Sequence, residues 1–253
     1  MAKTRIAFLV AGAALTLGGC VTTPPLDSAA MRLGADCTTQ VARITFDIET
    51  APQATCSILG EREFAIVVAP EHAPPINPSP WYAFRYEASG ADGISVRLDY
   101  LVGRHRYAPK LVRGGEIAPL PVEVSNEGRT ARFVLPPGEG IVAAQVPFGA
   151  LRHAQLIDRL AALPQADRIE LGHSLDGRTV TAVRFGNRTA SALVVLLGRQ
   201  HPPETTGAVA MEAFLLELAD QLAAQSDLGE RVQFLAIPQL NPDGVARGHW
   251  RAN

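Results

Sequence analysis

The hydrophobic period of this chain changes near Ala150, and that change limits what can fold on either side of it. Upstream, Ile44, Phe46 and Ile48 alternate with Thr45, Asp47 and Glu49, the period of two that places one set of side chains on each face of a strand. Further strands are expected over 64–68, 81–86, 94–100, 129–135 and 141–146. Turn-forming residues separate them: Ala73-Pro74-Pro75, Asn77-Pro78, Ser89-Gly90, Gly114-Gly115 and Pro136-Pro137-Gly138. Short strands spaced by such breakers predict an antiparallel β-sandwich. Downstream, residues 154–162 predict a helix with Leu156, Ile157 and Leu160 on its apolar side. Strands are expected at 168–171 and 179–185, joined by Ser174-Leu175-Asp176-Gly177. The run 191–197 is nearly all apolar and predicts a strand buried on both faces. Residues 206–224 predict a long helix with a stripe of Met211, Leu215, Leu218 and Leu222, and 232–237 another buried strand. Strand, helix, strand is an α/β pattern. The expected fold is therefore a two-domain α+β and α/β chain: an antiparallel sandwich over 37–149, then an α/β part with a mixed sheet over 150–253.

Composition excludes several functions. The 253 residues carry 23 Lys and Arg against 25 Asp and Glu, a net charge of −2, so no electrostatic footprint for nucleic acid exists. No phosphate-binding glycine loop, dinucleotide fingerprint or G-x-S-x-G elbow is present. Ser174 and Ser191 have no partners in sequence that would make either a nucleophile.

The N-terminus reads as an export signal: Lys3 and Arg5, then an apolar run over 6–17 that is too short to span a bilayer. It closes on Leu17-Gly18-Gly19-Cys20, which resembles the bacterial lipobox. The resemblance implies cleavage after residue 19 and lipid on Cys20, with residues 20–36 as a tether. Val21 follows Cys20 where an inner-membrane retention signal would place an acidic residue. The expected location is the bacterial envelope, at the outer membrane facing the periplasm, with the lipid as the only membrane contact. In that oxidising setting Cys37 and Cys56 are expected to pair; two small buried residues are the alternative.

His201 and Glu204 stand between the apolar run and the long helix, where α/β proteins place their chemistry. Pro202 and Pro203 hold them on a stiff turn rather than as an i, i+3 pair on a helix. Imidazole and carboxylate are both zinc ligands. Taken alone the spacing is weak evidence, because a surface histidine beside a helix-start glutamate is common.

Three segments in order make the pattern specific: Gly198-Arg199-Gln200-His201-Pro202-Pro203-Glu204-Thr205-Thr206-Gly207, Pro238-Gln239-Leu240-Asn241-Pro242-Asp243-Gly244-Val245, and Gly248-His249-Trp250-Arg251. Together they resemble the zinc carboxypeptidase family, in its cytosolic-carboxypeptidase-like branch. The stretch Leu171 to Arg178 and the leading sandwich fit the same branch. The resemblance implies a zinc-dependent carboxypeptidase acting on peptides, with Zn2+ on His201 and Glu204. Arg251 would be the catalytic and substrate-binding arginine that stabilises the oxyanion. Asn241 and Asp243 read as turn-formers, and Trp250 as packing beside the site. The family pattern continues with an Asn-Arg pair, a histidine ligand, a tyrosine and a general-base glutamate; none can be assigned here, so the chain is expected to be an N-terminal portion of such an enzyme and inactive by itself. His249 and His173 are the substitutes for a third ligand, while His72, His105 and His153 read as ordinary histidines. Two other functions compete: a non-catalytic, lipid-anchored sandwich that binds a partner, and a zinc deacylase of N-acyl amino acids.

Overall fold

The structure is a computed structural model that describes residues 35–52, 54–72, 79–224 and 230–252. The leader over 1–19, Cys20, most of the 20–36 tether and the breakers at 73–75 and 77–78 lie outside the described residues.

Among the described residues, eleven strands precede residue 150. One sheet has the order β1 (Cys37–Thr38), β2 (Ala42–Thr45), β5 (Ala83–Ala88), β11 (Gly138–Ala143), β7 (Lys110–Arg113), β8 (Glu116–Pro119). The other has β3 (Thr55–Gly60), β4 (Glu63–Val68), β6 (Ile94–Tyr100), β10 (Thr130–Leu135), β9 (Glu123–Ser125). Their pairings are antiparallel except β4 with β6, which run parallel. The period-two pattern works as expected in β6: Ile94, Val96, Leu98 and Tyr100 are buried while Ser95, Arg97 and Asp99 are half-exposed. Side chains from both sheets form one core that includes Phe64, Ile66, Trp81, Phe84 and Tyr86. The hairpin of β7 and β8 turns on Gly114-Gly115, both at positive φ; the sequence shows the turn but not the strands, because β8 is exposed along its whole length. Cys37 and Cys56 form a disulfide that ties β1 to β3, across the two sheets.

The second part contains α1 (Ala150–Ala161), β12 (Asp167–His173), β13 (Thr179–Gly186), β14 (Ala192–Leu197), α2 (Thr205–Ala224), β15 (Val232–Ile237) and the short helix α3 (Pro242–Arg247). The sheet order is β12-β13-β15-β14: β12, β13 and β15 pair antiparallel, and β14 runs parallel to β15. Leu156, Ile157 and Leu160 of α1 and Leu215 and Leu218 of α2 share a core with Val183, Phe185 and Phe234. Helix α1 starts at Ala150, four residues earlier than its apolar stripe suggests, where its first amide donates to the Glu49 carboxylate at 2.8 Å.

Strand β14 corrects one expectation. It is apolar enough for a fully buried strand, yet Leu193 is 55% and Leu197 50% exposed, with Val194 and Val195 also exposed. It is the last strand in the sheet order, so one edge and much of both faces lack cover.

The Cys37–Cys56 bond closes a separation of 19 residues, for which chain-entropy arguments give about 3 kcal/mol of stabilisation. Denaturant unfolding with and without a reductant should show a loss of that size, with strands β1 and β3 losing amide protection earliest.

Candidate active site

The topology assembles the site. Strands β14 and β15 are parallel and in register from Ala192↔Val232 to Leu197↔Ile237, so both chains leave the sheet at the same edge. Their exits are then tied directly: Leu240 donates its amide to Gly198 O at 3.0 Å, and Asn241 to Arg199 O at 3.1 Å. Strand β13 runs antiparallel to β15, so the turn between β12 and β13, over 174–178, reaches the same edge. Three segments separated in sequence therefore meet at the carboxyl ends of the parallel strands.

Asp243 locks two of them together. It is only 2% exposed, yet it takes hydrogen bonds from Ser174 Oγ at 2.7 Å, Asp176 N at 3.0 Å and Arg178 Nη1 at 2.7 Å. Burial opposes its charge; those donors and the Arg178 cation outweigh burial and hold the carboxyl at about 2. Arg178 also pairs with Asp176, which pairs in turn with Arg247. Asn241 is the N-cap of α3: its Oδ1 accepts from Gly244 N at 2.9 Å, and its Nδ2 donates to Ala252 O at 3.1 Å. Turn-forming is thus what Asn241 and Asp243 do, although Pro242 opens a short helix rather than a free turn.

The turn that carries His201 and Glu204 is held from below by Arg199. This residue sits at φ 47°, is buried, and donates to Phe148 O at 2.9 Å and to Pro202 O at 2.5 Å. Burial lowers its basicity to about 10, against the opposing pull of Glu204 and Glu49. Helix α2 then begins at Thr205, directly after Glu204, so the histidine and the carboxylate lie on the turn and not on the helix.

His201, Glu204 and Arg251 come together. His201 Nδ1 and Glu204 Oε1 are 2.8 Å apart, and Arg251 Nη1 lies 2.9 Å from His201 Nε2. An arginine can only donate, so Nε2 accepts; Nδ1 therefore carries the proton and donates to Glu204. The three side chains line a cleft of about 410 Å3 with Arg106, Tyr107 and Trp250. The sandwich thus forms one wall. Trp250 is buried in its core, with Tyr107 6.2 Å away, and the Arg106 guanidinium lies 5.9 Å from the Trp250 ring.

The other histidines stand apart from this cluster. His173, at the end of β12, faces Glu170 at 3.5 Å. His249 does not line the cleft; its Nδ1 is buried without a partner, and burial lowers its basicity. His105 bonds the Tyr100 hydroxyl at 3.1 Å. His153 is pushed down to about 4 by burial and by Arg199, and His72 is exposed. Among the described residues, no group of three or more His, Cys, Asp or Glu side chains converges as a metal site would require, so neither His173 nor His249 completes one.

Residues 153–253 match the family model described as zinc carboxypeptidase. The histidine-glutamate turn at the exit of β14 and the Asn-Pro-Asp-Gly segment at the exit of β15 both fall inside that match. This part of the chain is similar to the zinc carboxypeptidase family. A segment of 84 residues is 38% identical to cytosolic carboxypeptidase 2 of Danio rerio, covering 32% of this chain and 12% of that protein. The fold is that of a Shewanella denitrificans protein assigned as a carboxypeptidase A, with TM-score 0.72 and 25% identity over 83% of this chain and 58% of that one. It is also that of a metallo-carboxypeptidase from Burkholderia cenocepacia, with TM-score 0.71 and 22% identity over 84% and 60%. The chain therefore spans less than two thirds of the length of these carboxypeptidases.

Arg199, the Arg178–Asp243 pair and the sandwich wall are absent from the sequence reading of the site. Arg199 lies inside the quoted motif, and its position between a strand exit and a proline turn was the available signal. The sandwich residues carry no motif.

Asp243 has a depressed carboxyl, so its stabilising effect is present above about pH 4 and is lost as pH falls toward about 2. Thermal unfolding followed from pH 5 to 2 should fall steeply in the wild type. Asp243→Asn should start from a lower midpoint and show a shallower fall over that window.

Proposed function

We propose that this site belongs to a zinc-dependent metallocarboxypeptidase, which hydrolyses C-terminal or side-chain amino acids from peptides. The observation that carries the reading is the convergence of an imidazole nitrogen and a carboxylate oxygen, 2.8 Å apart, with a guanidinium beside them in a solvent-open cleft. The donor set suits zinc, which takes both ligand types. His201 through Nδ1 and Glu204 through Oε1 would hold it; among the described residues no third His, Cys, Asp or Glu side chain converges with them. Bound there, the metal would supply Lewis acidity and a more acidic water.

The chain's own residues divide the rest of the work. An imidazole that ligates through Nδ1 carries its proton on Nε2 and can no longer accept from Arg251. With the metal held there, Arg251 would be free of His201 and its guanidinium would be available to an oxygen gaining negative charge. Arg199 and the two prolines keep His201 and Glu204 on their turn. Trp250 and Tyr107 close one side of the cleft to water.

Zinc titration with a competing chelator, beside an assay of C-terminal residue release, tests the reading. His201→Ala and Glu204→Ala should each abolish zinc binding; in a complete protein, Arg251→Ala should retain zinc and lower turnover by roughly 10²–10³-fold. Wild-type zinc affinity in the His201→Ala protein would reject the assignment.

We further propose export and lipid attachment at Cys20, supported by the sequence Leu17-Gly18-Gly19-Cys20 after a short apolar run. Radiolabelled palmitate should enter the wild-type protein in a bacterial host and be absent from Cys20→Ala. Equal labelling of both would refute it.

A further inference from the structure

The segment that bears Arg251 is held by the sandwich. Gly248 sits at φ +64°, and a Cβ there would lie 2.3 Å from the backbone carbonyl carbon of Ala51, so this point of the chain rests directly on the loop after β2. Trp250 inserts into the sandwich core. Between these anchors and the chain's last residues, one carboxylate gathers three successive backbone amides. Glu71 Oε1 accepts from Arg251 N at 2.8 Å and from Ala252 N at 2.9 Å, and Glu71 Oε2 accepts from Trp250 N. Glu71 lies three residues past the end of β4, about 180 residues away in sequence.

Three consecutive amides pointing at one acceptor form a concave anion nest, and a carboxylate is the side chain that fills it, since it only accepts. Filling the nest sets the backbone torsions around Trp250 and Arg251, and with them the direction in which the Arg251 side chain departs. That side chain is the one that reaches His201 Nε2. We propose that Glu71 is a positioning residue for Arg251: the sandwich, through this carboxylate, aims the arginine at the metal-ligand pair. What Arg251 does for catalysis rests on the carboxypeptidase reading; the holding of Arg251 does not.

The experiment uses the full chain, metal-free and labelled with 15N, and compares wild type with Glu71→Ala, Glu71→Gln and Arg251→Ala. The readouts are the Nε2 resonance of His201, which reports the hydrogen bond from Arg251, and amide exchange at residues 250–252. Arg251→Ala sets the shift of an imidazole that has lost its donor. Glu71→Ala should move the His201 resonance to that same position and speed exchange at 250–252 by about 10-fold or more, while amides of β13 and β15 keep their rates. Glu71→Gln keeps an acceptor oxygen without the charge and should fall between wild type and Glu71→Ala; it also serves if Glu71→Ala does not fold. A His201 resonance unchanged in both Glu71 variants, with Arg251→Ala shifted, overturns the proposal, as does an Arg251→Ala spectrum identical to wild type. An absence of zinc binding in the wild type would sink the carboxypeptidase reading and leave the His201 result standing.

Discussion

The site depends on one pairing, the parallel register of β14 with β15. Parallel strands send their exits out of the same edge of a sheet, so the histidine-glutamate turn and the Asn-Pro-Asp-Gly segment become neighbours although about 40 residues separate them. Slipping that register by one residue would reverse the faces of one strand and pull the two turns out of hydrogen-bond reach. The antiparallel β13 then brings the 174–178 turn to the same edge, where Asp243 can gather Ser174, Asp176 and Arg178. A buried carboxylate is costly unless fully paired, and here every donor comes from the neighbouring turn. The same residue that is expensive to bury is thus what makes the turns specific for one another.

The two parts of the chain meet through the cleft. The α/β part supplies His201 and Glu204, while the sandwich supplies the wall of Arg106 and Tyr107 and the pocket that Trp250 fills. Other contacts run the same way: Glu49 receives the first amide of α1, and Glu71 receives the amides around Arg251. Acidic side chains from sandwich loops thus cap backbone groups of the second part. The segment that the sandwich holds in this way lines the same cleft as His201 and Glu204.

Much of the fold was legible because its signals are local. Period-two alternation in Ile94 to Tyr100 and the apolar stripe of Leu215 and Leu218 come from residues within two turns of each other, and both are buried as the pattern implies. The fully exposed strand β8 carries no such signal, and its hairpin was visible only through Gly114-Gly115. Strand β14 misleads for a different reason. Its composition records what a strand in this place is built to be buried by, whereas exposure depends on what stands beside it, and in this sheet it is the edge. In the site, His201 and Glu204 are marked by their prolines and their place before a helix. Glu71 is an isolated acid in a proline-rich loop and carries no mark at all.

By itself the sequence determined which residues can do chemistry and the order in which strands and helices follow, because residue type and short-range period are properties of the chain. It also determined that His201 and Glu204 sit on a turn, since proline restricts its predecessor whatever surrounds it. Only the tertiary structure decided that Asp243 pairs with Arg178, that the sandwich walls the cleft, and that Glu71 holds the arginine segment. Each of those is a contact between residues roughly 65 to 180 positions apart, and such distances are closed only when sheet order and register bring the segments together.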